Sequence, residues 1–151
     1  MGRTEIGASR GFTLVEAVIV IVVVGMLLAI AVPRFAEARV RLQLDTAAYQ
    51  LAGDLRRTQV EAIKRNQTVE LATTGASTYN IQSVPTLLAP LVTVFHTRSF
   101  EGNVTFAAGS AASVRMASFG PPVTGAAAFI VETTTGQKTI TVSAAGLVSV
   151  Q

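Results

Sequence analysis

Residues 9–35 read SRGFTLVEAVIVIVVVGMLLAIAVPRF. An apolar run extends from Phe12 to Val32, and a single acidic residue, Glu16, breaks it. The run is 21 residues long, which at about 1.5 Å per residue spans roughly 30 Å, the thickness of one hydrocarbon core. A carboxylate near the middle of such a segment costs about 3 kcal/mol on insertion scales, less near an end, and marks a functional candidate. The purpose of Glu16 therefore decides how the whole N-terminal region is read.

Three readings compete. A secretory signal peptide finds small residues, Ala29 and Ala31, at the spacing for cleavage after Ala31. Its apolar core is normally about 7–15 residues, shorter than this one, and Glu16 has no place in it. A plain signal anchor explains the length but leaves Glu16 unexplained. The third reading uses every unusual residue together: Arg10 and Gly11 before the run, Phe12 opening it, Glu16 four residues on, and Gly25 and Pro33 interrupting it.

That combination, GFTLVE over residues 11–16 followed by an apolar helix, resembles the processing motif of type IV prepilins and type II secretion prepseudopilins. The resemblance implies that a membrane peptidase cuts between Gly11 and Phe12 and N-methylates Phe12. The cut then precedes the span, so the helix stays in the mature chain. Glycine leaves a protease room for close backbone approach. Arg3 and Arg10 ahead of the span favour a cytoplasmic N-terminus, with the chain beyond Val32 outside. The resemblance also implies that Glu16 pairs with the terminal amine of a neighbouring subunit during assembly, since a buried charge needs a partner. A carboxylate snorkelling to the interface is the alternative for Glu16. Gly25 and Pro33 bracket a stretch that unwinds in some assembled pili of this family, the alternative being a mild kink with no role.

Beyond the span the pattern stays helical. Leu44, Ala48, Leu51, Leu55 and Ala62 fall on one face. Asp54 with Arg57 and Glu61 with Arg65 form acid-first pairs at helical spacing. One helix is expected from about Phe12 to Arg65, with a kink or local unwinding at Pro33. From Thr68 the period switches to two, and β-branched segments alternate with Gly, Pro and Asn turns. Strands are expected at 68–73, 77–84, 91–96, 103–107, 113–119, 127–134, 138–143 and 147–150. Gly136 is expected to supply the positive φ of the hairpin turn in ETTTGQKT. The fold class is α+β: a long N-terminal helix covering one face of an antiparallel sheet. The resemblance implies that residues 1–11 are a cleaved leader and 12–33 the membrane or filament-core half of the helix, with 34–66 expected as its amphipathic half and 67–151 as the sheet domain.

A finer resemblance lies in LAGDLRRTQVEAIKRNQTVEL (51–71), where Leu55, Arg56, Glu61, Ala62, Lys64, Arg65, Asn66 and Gln67 hold the places of the helix-to-strand junction of the GspH/FimT group of minor pilins and pseudopilins. The ending TITVSAAGLVSV resembles that group's closing hairpin. Residues 75–125 carry no such match. The resemblance implies a structural subunit that joins, primes or caps a type IV pilus or a type II secretion pseudopilus. It implies no cofactor, and as partners other pilins or pseudopilins, the prepilin peptidase, the inner-membrane assembly platform and membrane lipid.

Some members of the group bind DNA through basic residues near the closing hairpin. Here Leu147, Val148, Ser149 and Val150 follow Gly146, and Lys138 is the only cation in the final thirty-five residues. Neutralising several phosphates takes several cations, so nucleic acid is not the expected partner. Arg98 and Arg115 are the remaining candidates for a weak contact with DNA or a partner, and a DNA-uptake pilin stays as the alternative function. The net charge of +3 and pI near 10.0 reflect a small excess of cations interleaved with acids, the pattern of a solvated helix face. With no cysteine and one histidine, thiolate metal sites, disulfides and nucleophile–base arrangements have no residues to build them. His96, in the apolar run after Leu91, reads as a strand residue, and the chain reads as no enzyme.

Overall fold

The computed structural model describes residues 12–87 and 90–151. The expected leader, with the Gly11 side of the cleavage site, lies outside the described residues. Met1–Glu37 and Ala38–Gln151 form two compact units, and one helix, α1 (Leu14–Arg65, 52 residues), contributes to both.

In the first unit every described side chain is exposed, and a window of α1 near the N-terminus has mean hydropathy 3.0. Length and composition suit a membrane crossing. The sequence predicts a kink or unwinding at Pro33. α1 runs unbroken through Gly25 and Pro33, so the helix does not unwind there in the single chain: proline removes one backbone donor, and the turns on either side keep theirs.

In the second unit α1 buries the stripe the periodicity marks. Leu44, Ala48, Leu51, Leu55 and Ala62 are all buried, joined by Ala47, Ala52 and Thr58. The Thr58 hydroxyl is satisfied by the Asp54 carbonyl at 2.7 Å. The helix ends in a Schellman motif: Asn66 takes a left-handed φ of 49°, its amide donates to the Ile63 carbonyl, and the Gln67 amide reaches back to Ala62, both at 3.2 Å.

Among the described residues eight strands follow: β1 (Val69–Thr73), β2 (Thr78–Ser83), β3 (Val94–Ser99), β4 (Thr105–Phe106), β5 (Ser113–Met116), β6 (Ala127–Thr133), β7 (Gly136–Val142) and β8 (Val148–Val150). They form two four-stranded sheets rather than one, ordered β3-β2-β1-β5 and β4-β6-β7-β8, with every pairing antiparallel. The two sheets are stitched where the Ala111 amide bonds to Ala128 and the Thr73 amide to Ala112. Helix α1 meets both. Leu44 lies 3.8 Å from where a Cβ on Gly136 would sit, and Asp45 pairs with Lys138 at 2.7 Å on the same sheet. Tyr79 on β2 is reached from Gln50 and Asp54. A chain of tilted ring contacts, Tyr79, Phe100, Phe106 and Phe129, leads from one sheet to the other at centroid distances of 5.5, 5.0 and 6.4 Å, with half-buried Phe106 packed against the buried cluster that holds the other three.

The strand expected at 113–119 ends at Met116, where the Gly120 amide closes a turn on the Ala117 carbonyl, and two further local expectations need correction. The third strand starts at Val94, not Leu91, because Pro85 and Pro90 deny the preceding segment ladder donors. Gly136 is not among the left-handed glycines. It sits in β7 opposite Thr133, and Thr134–Thr135 make the turn, steadied by the Thr135 amide donating to the Thr133 hydroxyl at 3.4 Å. Left-handed glycine appears instead at Gly146 (φ 84°), in the turn of the β7–β8 closing hairpin.

Because Asn66 holds the left-handed position alone, Asn66→Val should lower the unfolding free energy by about 1 kcal/mol, while Asn66→Gly should hold or raise it. Chemical denaturation of the three chains followed by circular dichroism checks this ordering.

Candidate functional site

The first turn of α1 shows how Glu16 is held. The Thr13 hydroxyl accepts from the Glu16 amide at 3.2 Å, and the Ala17 amide bonds to the Thr13 carbonyl at 3.2 Å. Thr13 is therefore the N-cap, and Glu16 occupies the position three residues on, the spacing of a capping box. A carboxylate there also meets the positive end of the helix dipole. Phe12 and Glu16 are both exposed in the single chain.

At the helix–sheet seam of the second unit a polar group is built into the core. Asp54, expected to pair with Arg57 along the helix, turns inward instead. Its Oδ2 accepts from the Tyr79 hydroxyl at 2.7 Å and lies 3.7 Å from Arg98 Nε. Gln50 Nε2 completes the group, donating to Tyr79 Oη at 3.2 Å and to the Ser99 carbonyl at 3.3 Å. Burial pushes the Tyr79 hydroxyl well above its ordinary value, and the hydrogen bond to Asp54 and its negative charge push the same way. Released from Asp54, Arg57 places Nη2 2.9 Å from His96 Nε2. A guanidinium only donates, so His96 accepts through Nε2 there. Glu61 and Arg65 pair as the spacing predicts, at 2.9 Å. The hydrogen bond from Arg65 holds the Glu61 carboxyl below the usual range, though so exposed a pair adds little stability.

The two candidate arginines lie apart. Arg98 is the register partner of Tyr79 and shares its helix-facing side. Arg115 is the partner of Glu70 on the opposite face of the same sheet, and its Nε bonds Glu70 Oε1 at 3.1 Å. Each therefore already meets a carboxylate, and the fold does not bring them together. Among the described residues no three His, Cys, Asp or Glu side chains gather as metal ligands.

The N-terminal segment matches the prokaryotic N-terminal methylation motif over residues 7–32, and residues 47–146 match the family described as type II transport protein GspH. The chain belongs to the GspH family. It is a pilin-like protein of the minor pilin and pseudopilin class. It is 43% identical over 72 residues to the pilin-like protein PilA1 of Thermus thermophilus. That match takes in 46% of this chain and 45% of PilA1, so it spans less than half of the relative's length. A crystal structure of the type IV minor pilin FimU of Pseudomonas aeruginosa superposes with a TM-score of 0.61, covering 74% of this chain and 90% of that one. A second crystal form gives 0.58, with 72% and 92% covered. At 16% and 15% identity these likenesses show a shared fold: one long helix against antiparallel strands.

Sequence reasoning missed two members of these sites. The capping box was readable, since Thr13-x-x-Glu16 opens the apolar run, but a segment of this hydropathy reads first as a membrane span. The inward turn of Asp54 had no local signal, because its partners stand 25 and 44 positions downstream.

The Tyr79–Asp54 bond yields a pH test. A group whose pKa is raised on folding adds stability that is complete below its unfolded value, about 10 for tyrosine, and is lost as pH climbs toward the folded one. Unfolding free energy should therefore fall above about pH 10. Tyr79→Phe should cost about 2 kcal/mol at pH 7 by leaving the Asp54 carboxylate short of a donor, and should fall less steeply at alkaline pH. Lys138, raised by its bond to Asp45, titrates in the same direction, so the difference between the two chains isolates Tyr79. Urea unfolding between pH 7 and 11 reads both effects.

Proposed function

We propose that this GspH-family protein is a structural subunit of a type IV pilus or type II secretion pseudopilus, processed between Gly11 and Phe12 and methylated at Phe12. The observation that carries the reading is the methylation-motif match over residues 7–32, which runs into a helix beginning at Leu14 with Glu16 in its first turn. The similarity to a pilin-like protein and to a type IV minor pilin supports the same reading. Residues 12–33 would cross the inner membrane and later pack in the filament core, residues 34–66 would cover the sheets, and the domain after 67 would face the periplasm or exterior.

In this reading Glu16 answers the energetic question it raises. The Thr13 cap fixes the helix start through the Glu16 amide, and the positive end of the helix dipole there favours the carboxylate. The methylated amine of a neighbouring Phe12 would pair with it as the subunit leaves lipid for the filament, where an unpaired charge is costly. Gly25 and Pro33 would be where α1 loosens on assembly, one by lacking a side chain and the other by lacking a donor. The prepilin peptidase and the assembly platform are the membrane partners this requires. The role is mechanical, not catalytic. Nucleic-acid binding gains no support from Arg98 and Arg115, since each is held by a carboxylate.

The intact mass of the chain extracted from its native membrane tests the processing. Loss of residues 1–11 with gain of one methyl group is expected. A chain beginning at Val32 or an uncut chain overturns the reading. Glu16→Ala should leave processing and membrane level unchanged while removing the chain from the sheared filament fraction, read by immunoblot of both fractions.

A further inference from the structure

The end of the domain where α1 stops carries an exposed apolar surface that packing within the chain does not use. Phe119, Leu147, Ile63 and Val60 are 78, 72, 53 and 47% exposed. Three separate segments bring them together. A Cβ on Gly120 would stand 3.5 Å from Ile63 Cδ1, and one on Gly146 would stand 3.5 Å from Pro121 Cα. Gln59 donates to the Gly146 carbonyl. Helix positions 56, 59, 60 and 63 thus share the face turned to the loops that hold Phe119 and Leu147.

The loop is stiff. Gly120 donates to Ala117, Ala117 to Pro121 and Val123 to Arg115, at 2.9, 2.9 and 2.8 Å, and Met116 bridges to Pro122. Phe119 is therefore an apolar side chain presented on a fixed backbone, where binding sacrifices little conformational freedom. The rim is cationic. Arg56 donates to the Val148 carbonyl and Lys64 stands one residue from Ile63, and among the described residues neither makes an ion pair. Along α1, Ile63 stands about 38 Å of helix rise beyond Ala38, where the globular unit begins. The surface is therefore at the opposite end of this unit's helix from the residues that lead back to the apolar run, which argues for a protein partner over the anchoring bilayer. A second copy docking by the same face would set Arg56 and Lys64 against themselves.

We infer that this surface is a docking site for a different subunit of the same filament, one that presents an apolar face rimmed by carboxylates. The inference rests on the filament reading given above. It assigns Phe119, Leu147 and Ile63 as the apolar anchor, and Arg56 and Lys64 as the charges that select an acidic partner and speed its approach.

The chain has no cysteine, so single thiols can be placed in the full-length protein: Phe119→Cys, Leu147→Cys and, as a control in an exposed turn, Thr134→Cys. Each would carry a thiol-attached diazirine, be photolysed in native membranes and in sheared filaments, and have its adducts sequenced by mass spectrometry. Adducts from positions 119 and 147, but not 134, are expected on one other protein with a methylated N-terminus, at peptides bearing Asp or Glu. Adding Lys64→Glu should lower their yield roughly three- to tenfold. Adducts on lipid, on a second copy alone, or equal from all three positions overturn the inference, as does a yield indifferent to Lys64→Glu. If the chain never reaches the filament fraction, the filament reading fails, and the membrane adducts judge the surface by themselves.

Discussion

The globular unit depends on one packing contact, the small-and-large stripe of α1 laid along two sheets at once. Leu44, Leu51 and Leu55 supply volume, while Ala47, Ala48, Ala52 and Ala62 let the strands come close. Neither sheet has a complete core without this helix, since each has only four strands and the ring chain from Tyr79 to Phe129 runs between them. A fully buried leucine truncated to alanine typically costs about 2–5 kcal/mol. Set against a domain stability of about 5–15 kcal/mol, the stripe leaves little room for substitution.

Polar groups then fix where the helix sits on the sheets. An apolar stripe alone tolerates sliding, because hydrophobic contact is not directional. The Asp54–Tyr79 bond, the Gln50 reach to Ser99 and the Arg57–His96 contact tie one flank of the helix to β2 and β3. Lys138–Asp45 and the donation from Arg56 to Val148 tie the other flank to β7 and β8. A shift of the helix by one turn would break all five, and the buried carboxylate of Asp54 would lose its donor, which is costly at low dielectric.

How much was legible depends on which signals are local. The helix, its buried face and its end at Asn66 came from a period of 3.6 and from residues adjacent in the chain. The strands came from alternation and β-branching, and their errors occurred where proline or a hydroxyl-braced turn replaced the glycine rule, at Pro90 and at Thr134–Thr135. The division into two sheets was hidden, because alternation says which side of a strand is buried and nothing about its neighbours. β1 pairs with β5 some forty residues away, an association that no short window contains. Of the candidate residues, Phe12 and Glu16 stand out because an apolar run isolates them. The partners of Arg98 and Arg115 emerge only once the strands are in register.

The bonds from Arg56 to Val148 and from Gln59 to Gly146 join positions 92 and 87 apart in the chain, and they carry a consequence for biosynthesis. The strands that complete the cover of α1 leave the ribosome well after the helix does. At about 5–20 residues per second, the helix waits several seconds with its leucine stripe bare after its own residues have emerged. Productive folding is thus deferred until synthesis through β8 is finished. During that interval the stripe is a surface on which a holding chaperone could act, and a stalled or shortened nascent chain would be exposed to aggregation and proteolysis.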